Sequence, residues 1–172
     1  MKKILITLMG IIIAAVSSFA FAQSAIEEPE IAGILATVNK GEIKAASKAQ
    51  AKASNPDVRR FAQLMITDHQ NANQSAMTVF KAAKIRPLPS MYSKNLKKEN
   101  NMAMRKMKKL QGAAFDQTYM DSQVMMHQNV LNLIDSTLLP NAQTPEVKTL
   151  LTNVRGIIAG HLQQAQQIRG AL

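Results

Sequence analysis

Cysteine is absent from all 172 residues, which excludes disulfides, thiolate metal sites and thiol redox chemistry at once. Glycine and proline are scarce, at 7 and 6 residues, and no glycine-rich loop of the kind that cradles phosphate is present. Aromatic residues make up only 4%, leaving the basic stretches little on which to stack bases. Acidic side chains number 11 against 21 lysines and arginines, a formal net charge of +10. Long apolar runs are missing as well, with one exception at the start of the chain.

That exception reads as a secretory signal. Lys2 and Lys3 precede an apolar run from Leu5 to Val16, and Ala20-Phe21-Ala22 before Gln23 has the small-x-small form of a cleavage site. The run is shorter than the roughly 20 residues a membrane-spanning helix needs. Residues 1–22 are therefore expected to be a signal peptide, and residues 23–172 one periplasmic or secreted domain. Those 150 residues retain a formal charge of +8 and suffice for a single core. Export removes nucleic acid as the natural target of the positive charge.

Apolar residues recur at three and four, so the expected fold class is all-α. A first helix from about Glu28 to Ser54 carries Ile31, Ile34, Leu35, Val38, Glu42, Ala45 and Ala49 on its stripe. The second opens at Asn55-Pro56-Asp57, with a cap residue, a first-turn proline and an acid, and carries Phe61, Met65, His69, Ala72 and Ala76. A third runs from about Ala113 to Leu139, where Pro140 is expected to stop it. The fourth opens at Thr144-Pro145-Glu146-Val147, an echo of Asn55-Pro56-Asp57-Val58. Two hairpins joined by a long, partly helical connection over residues 87–111 predict a ferritin-like four-helix bundle.

All three histidines of the chain, His69, His127 and His161, fall on apolar stripes of different helices, and Glu42 on that of a fourth. An interior stripe covers about 0.4 of a helix surface, so three unselected histidines would all lie inside in about one case in fifteen. Counting from the turns, Glu42 and His69 share a height, whereas His127 and His161 differ by about one turn, or roughly 6 Å. Imidazole nitrogen and carboxylate are apt donors for zinc, copper or iron. A metal site of Glu42, His69, His127 and His161 is one reading. A satisfied polar core, with Asp68, Asp116 and Tyr119 as hydrogen-bond partners, is the other. Under the first reading those three residues would orient the ligands. The Glu-x-x-His repeats of di-iron bundles are missing, and no nucleophile with a base stands out, so no catalytic residue is assigned.

The segments Gly41-Glu42-Ile43, Val58-x-x-Phe61-Ala62-x-x-Met65-x-x-Asp68-His69, Phe115-Asp116-x-x-Tyr119 followed by His127, and His161-Leu162 resemble the exported bacterial domain-of-unknown-function family 4142. The resemblance implies a ferritin-like helical bundle in the cell envelope, with Glu42, Asp68, His69, Asp116, Tyr119, His127 and His161 as signature positions. It implies no activity.

Two clusters invite further readings. Met102, Met104 and Met107, and Met125-Met126 beside His127, suit either Cu(I) or the filling of core gaps. Seven cations from Lys94 to Lys109, with Lys40, Lys44, Lys48 and Lys52 on the first helix, suit an anionic envelope lipid or polysaccharide, or a solvated face. The expected function is thus an exported protein binding a divalent or copper ion, or a small ligand, inside a bundle. The alternative is a non-catalytic envelope interaction or stress protein using its basic outer face.

Overall fold

The computed structural model of the protein describes residues 26–172, so the expected signal peptide lies outside the described residues. Among those described the fold is all-helical: α1 (Glu28–Lys52), α2 (Pro56–Ala82), α3 (Met91–Met107), α4 (Gly112–Leu133), a π-helical turn (Ile134–Leu138), the short α5 (Leu139–Asn141) and α6 (Pro145–Gly170). None of these helices is long and apolar enough to cross a membrane. Local chemistry marks their starts. Asn55 Oδ1 accepts from the amides of Asp57 and Val58 at the head of α2, and Ser90 and Ser93 form a reciprocal capping box at the head of α3.

A polar layer divides the core into two apolar halves. One half gathers the start of α1 (Ile31 to Val38), the end of α2 (Ala76, Phe80), the region Val130 to Leu138 and the first half of α6 (Val147 to Ile158). The other gathers the end of α1, the start of α2 (Val58 to Met65), the start of α4 (Phe115 to Met120) and Ala165. Helices α1 and α6 therefore run one way, and α2 and α4 the other. The connection from α2 to α4 must travel the length of the molecule, and α3 does so, placing Leu96 in the first half and Met107 in the second. It packs chiefly on α1 and, at 17 residues, is the helix expected within the 87–111 connection.

Two carboxylates lock the hairpins together. Asp116, in the second turn of α4, accepts from the Ser54 amide (3.1 Å), the Ser54 hydroxyl (2.5 Å) and the Asn55 amide (2.8 Å) in the α1–α2 turn. Glu28, the first residue of α1, accepts from the Gln143 amide (2.8 Å), the Thr144 amide (2.6 Å) and the Thr144 hydroxyl (2.6 Å) in the turn before α6. Each hairpin thus clasps the turn of the other. Burial pushes the Glu28 carboxyl up, but the bonds from Thr144 and Gln143, with Lys148 nearby, outweigh it and hold the carboxyl below its usual range.

Three sequence expectations are corrected here. Asp116 does not orient a histidine, because its carboxylate is taken up by the α1–α2 turn. Pro140 does not stop the third helix: the backbone widens into the π turn, with Leu139 N–H bonded to the Ile134 carbonyl, and Pro140 opens a further turn that ends at Asn141. Lys52 does not belong to a solvated face, since its ammonium donates to the Leu110 carbonyl at 2.7 Å and ties α1 to the end of α3.

Between α2 and α3 the chain crosses the start of α1. The Leu88 amide donates to the Pro29 carbonyl at 2.7 Å, and a side chain at Gly33 would collide with the Leu88 carbonyl oxygen. Only glycine lets this segment close.

The clasp makes a testable claim. Asp116→Ala leaves two backbone amides and a hydroxyl without their acceptor, so stability should fall by about 2–4 kcal/mol in urea denaturation. Asp116→Asn, which keeps one acceptor oxygen, should cost less. Equal, small losses for both would remove the clasp from the account.

Candidate metal centre

The polar layer is built one or two residues per helix. Asn39 and Glu42 come from α1, Asp68 and His69 from α2, Gln123 and His127 from α4, and His161 from α6. Each sits where the helical repeat carries it inward between apolar neighbours. The three imidazoles are 3–4% exposed, and their ring centroids stand 5.5 to 6.1 Å apart.

One nitrogen of each ring is committed. His69 Nδ1 lies 3.0 Å from Asn39 Oδ1, His127 Nδ1 lies 2.9 Å from the Gln123 carbonyl, and His161 Nε2 lies 2.8 Å from Asp68 Oδ2. A carbonyl or carboxylate oxygen only accepts, so each of these nitrogens donates its N–H. The other nitrogen of each neutral ring then carries a bare lone pair. Those nitrogens, His69 Nε2, His127 Nε2 and His161 Nδ1, are buried without a hydrogen-bond partner among the described residues. One ligand nitrogen from each ring lies within 4.8 Å of the other two.

Burial disfavours the charged form of two of the rings. Desolvation, with His127 and His161 alongside, pushes His69 down to about 3. Desolvation also lowers His161, and the Asp68 carboxylate opposes but does not reverse it. Neutral imidazole is the form that ligates metal.

Glu42 stands beside this group and not within it. Its carboxylate is 3% exposed and accepts from Gln123 Nε2 at 2.8 Å, while its neighbours around a small gap include Val38, His69, Met126 and His127. Tyr119 has phenylalanines, not histidines, as its ring neighbours. It is packed between Phe61 and Phe115, its hydroxyl lacks a partner among the described residues, and burial followed by the Glu42 charge pushes it well above its usual value. Of the three expected supporting residues, only Asp68 holds a ring.

Counting residues paired Glu42 with His69 and set His127 a turn away from His161. The structure closes that gap because the helix continues through the π turn to Asn141. From that end His127 is 14 residues away, against 16 from Pro145 to His161, a mismatch of roughly 3 Å. Asn39 and Gln123 were not assigned roles from sequence, although each is a polar residue on an otherwise apolar stripe. The methionines form no single cluster: Met107 and Met126 are buried in different places, while Met102 and Met125 are exposed on the lining of one surface groove.

The space around the rings admits little. The gap bounded by Asn39, Asp68, His69 and His161 has a volume of about 10 Å³, enough for about one water-sized occupant. An organic ligand does not fit there.

Among families of known proteins, the one described as Domain of unknown function (DUF4142) matches residues 15–168. No curated protein matches the chain, and no solved structure does.

The depressed His69 and His161 set a pH dependence for the metal-free protein. An unfolded histidine takes up its proton near pH 6.5, whereas folded His69 resists to about 3. The unfolded chain therefore binds more protons between those values, and stability present above about pH 6.5 is lost as pH falls. Urea midpoints at pH 7, 6 and 5 should correspond to a loss of about 1–3 kcal/mol per pH unit below pH 6. A flat profile over that window would contradict the depressed His69 and His161.

Proposed function

Since the chain belongs to the DUF4142 family, whose description assigns no activity, we propose from its site that it is an exported protein holding one first-row transition ion on His69, His127 and His161. The observation that carries this reading is that each of three buried rings keeps one nitrogen without a hydrogen-bond partner among the described residues, in a group whose ligand atoms lie within 4.8 Å of one another. Leaving such groups without partners costs about 1–3 kcal/mol each, and three of them approach the whole stability of a domain. A metal ion converts that cost into bonds.

Ligand separations of about 3.4 Å suit a tetrahedral ion bound at 2.0–2.1 Å. The rings therefore need to move inward by at most about 1.5 Å from their 4.8 Å limit. Asn39, the Gln123 carbonyl and Asp68 would fix the tautomers and aim the lone pairs, the usual role of groups behind metal-bound histidines. Glu42 is a buried carboxylate with one neutral hydrogen-bond donor, and an adjacent dication would balance its charge. Nitrogen donors disfavour calcium and magnesium, which take oxygen ligands, and suit zinc and copper. Met126 beside His69 and His127 adds a soft thioether that tilts the choice toward copper. Around the site, the two hairpins and the lengthwise crossover support a ferritin-like four-helix bundle as the fold. Export rests on the sequence of residues 1–22.

Purified protein stripped with chelator and titrated with Zn(II) or Cu(II) should take up one equivalent. At 100 times the dissociation constant the gain is about 2.7 kcal/mol, which raises Tm by about 5–10 °C. His127→Ala should abolish both effects. No retained ion and no Tm shift with either metal would sink the proposal.

A further inference from the structure

A second site lies away from the histidines, where the 83–90 segment closes over the starts of α1 and the end of α2. The groove there has a volume of about 830 Å³ and an apolar floor that includes Ala32, Ala76, Met77, Phe80 and Ile85. That is the size of a small-molecule pocket. Met77 is 63% exposed, an unusual position for a flexible apolar side chain and a common one at adaptable binding surfaces.

Three cations line the same groove, Lys81, Lys84 and Arg86, and no carboxylate lines it. None of the three is engaged in an ion pair among the described residues. The end of α2 contributes only about half a negative charge, so the cations dominate the local field. Lys84 carries a second signal. It sits at φ 57°, in the left-handed position of a Schellman motif in which the Ile85 amide bonds the Phe80 carbonyl at 2.8 Å and the Lys84 amide the Lys81 carbonyl at 3.1 Å. Glycine is the usual residue there, and a lysine is strained. That left-handed residue puts a lysine on the lining of an apolar groove.

We propose that this groove binds a long-chain fatty-acid carboxylate, with the acyl chain along Ala32, Ala76, Met77 and Phe80 and the carboxylate at Lys81, Lys84 and Arg86. An apolar floor with an all-cationic end matches a single-chain anionic amphiphile. The concave, bounded shape suits one acyl chain and not a flat bilayer. A second copy of this chain is disfavoured, because its net charge of +10 would meet the cations with like charge.

The test is calorimetric titration of the purified protein with palmitate below its micellar concentration, alongside methyl palmitate, hexanoate and anionic phosphatidylglycerol vesicles. Palmitate should bind one to one, with the ester and the short acid at least about tenfold weaker. The exposed pair Lys81→Gln with Arg86→Gln should weaken palmitate about tenfold at unchanged Tm. Lys84→Gly should weaken it while leaving Tm equal or up to about 3 °C higher, because the left-handed strain is relieved. His127→Ala, in the metal centre, should leave palmitate binding intact. Equal affinity for the ester, unchanged binding in the charge variants, or capture by vesicles without binding of monomeric palmitate would each overturn the proposal.

Discussion

The reciprocal clasp of Asp116 and Glu28 sets the relation between the hairpins on which the rest of the structure depends. Each carboxylate satisfies two amides and a hydroxyl in the other hairpin's turn, so neither pair of helices can slide along the other without stranding several charge-assisted bonds. Sliding by one turn, about 5.4 Å, would separate His161 of one hairpin from Asp68 of the other. The clasps act at the two ends of the molecule and the polar layer lies between them. End contacts thereby fix the height of a site in the middle.

Within that frame the polar layer is expensive. It interrupts an otherwise apolar core, it buries a carboxylate, and it leaves three ring nitrogens without partners. Comparable volume filled with leucine or isoleucine would stabilise the fold more. A purely structural network would be expected to close on itself, each donor meeting an acceptor. This one closes on the outside, where Asn39, Gln123 and Asp68 accept from the rings, and stays unsatisfied at its centre. Three acceptors in neighbouring rings have no mutual hydrogen bond to make. They do have a common partner in a cation.

Much of this was legible in the sequence, for physical reasons that differ by element. The four long helices follow from apolar recurrence and from starts such as Asn55-Pro56-Asp57, where cap, fixed φ and acid agree. The inward placement of all three histidines followed from the same recurrence. What residue counting missed depends on events it does not carry. The π turn carries the helix past the expected Leu139 to Asn141 and narrows the height difference between His127 and His161 to roughly 3 Å. Asp116 looked like a partner for an imidazole because it lies on an inner track, yet it sits near the head of α4, at the height of the α1–α2 turn. Asn39 and Gln123 were given no role because a neutral amide on a stripe has no charge to explain. Lys84 is ordinary in the sequence, and its significance comes from its backbone angle alone.

The central claim is that each ring donates one N–H, from Nδ1 of His69 and His127 and from Nε2 of His161, and keeps its other nitrogen for a shared ion. Long-range ¹H–¹⁵N correlation spectra of the ring nitrogens, recorded on the metal-free protein and after one equivalent of Zn(II), test it directly. The account predicts two Nδ1-H tautomers and one Nε2-H tautomer at pH 6.5, with zinc shifting the three unprotonated nitrogens together and leaving the protonated ones in place. Imidazolium rings, a different set of tautomers, or three rings indifferent to zinc would contradict it.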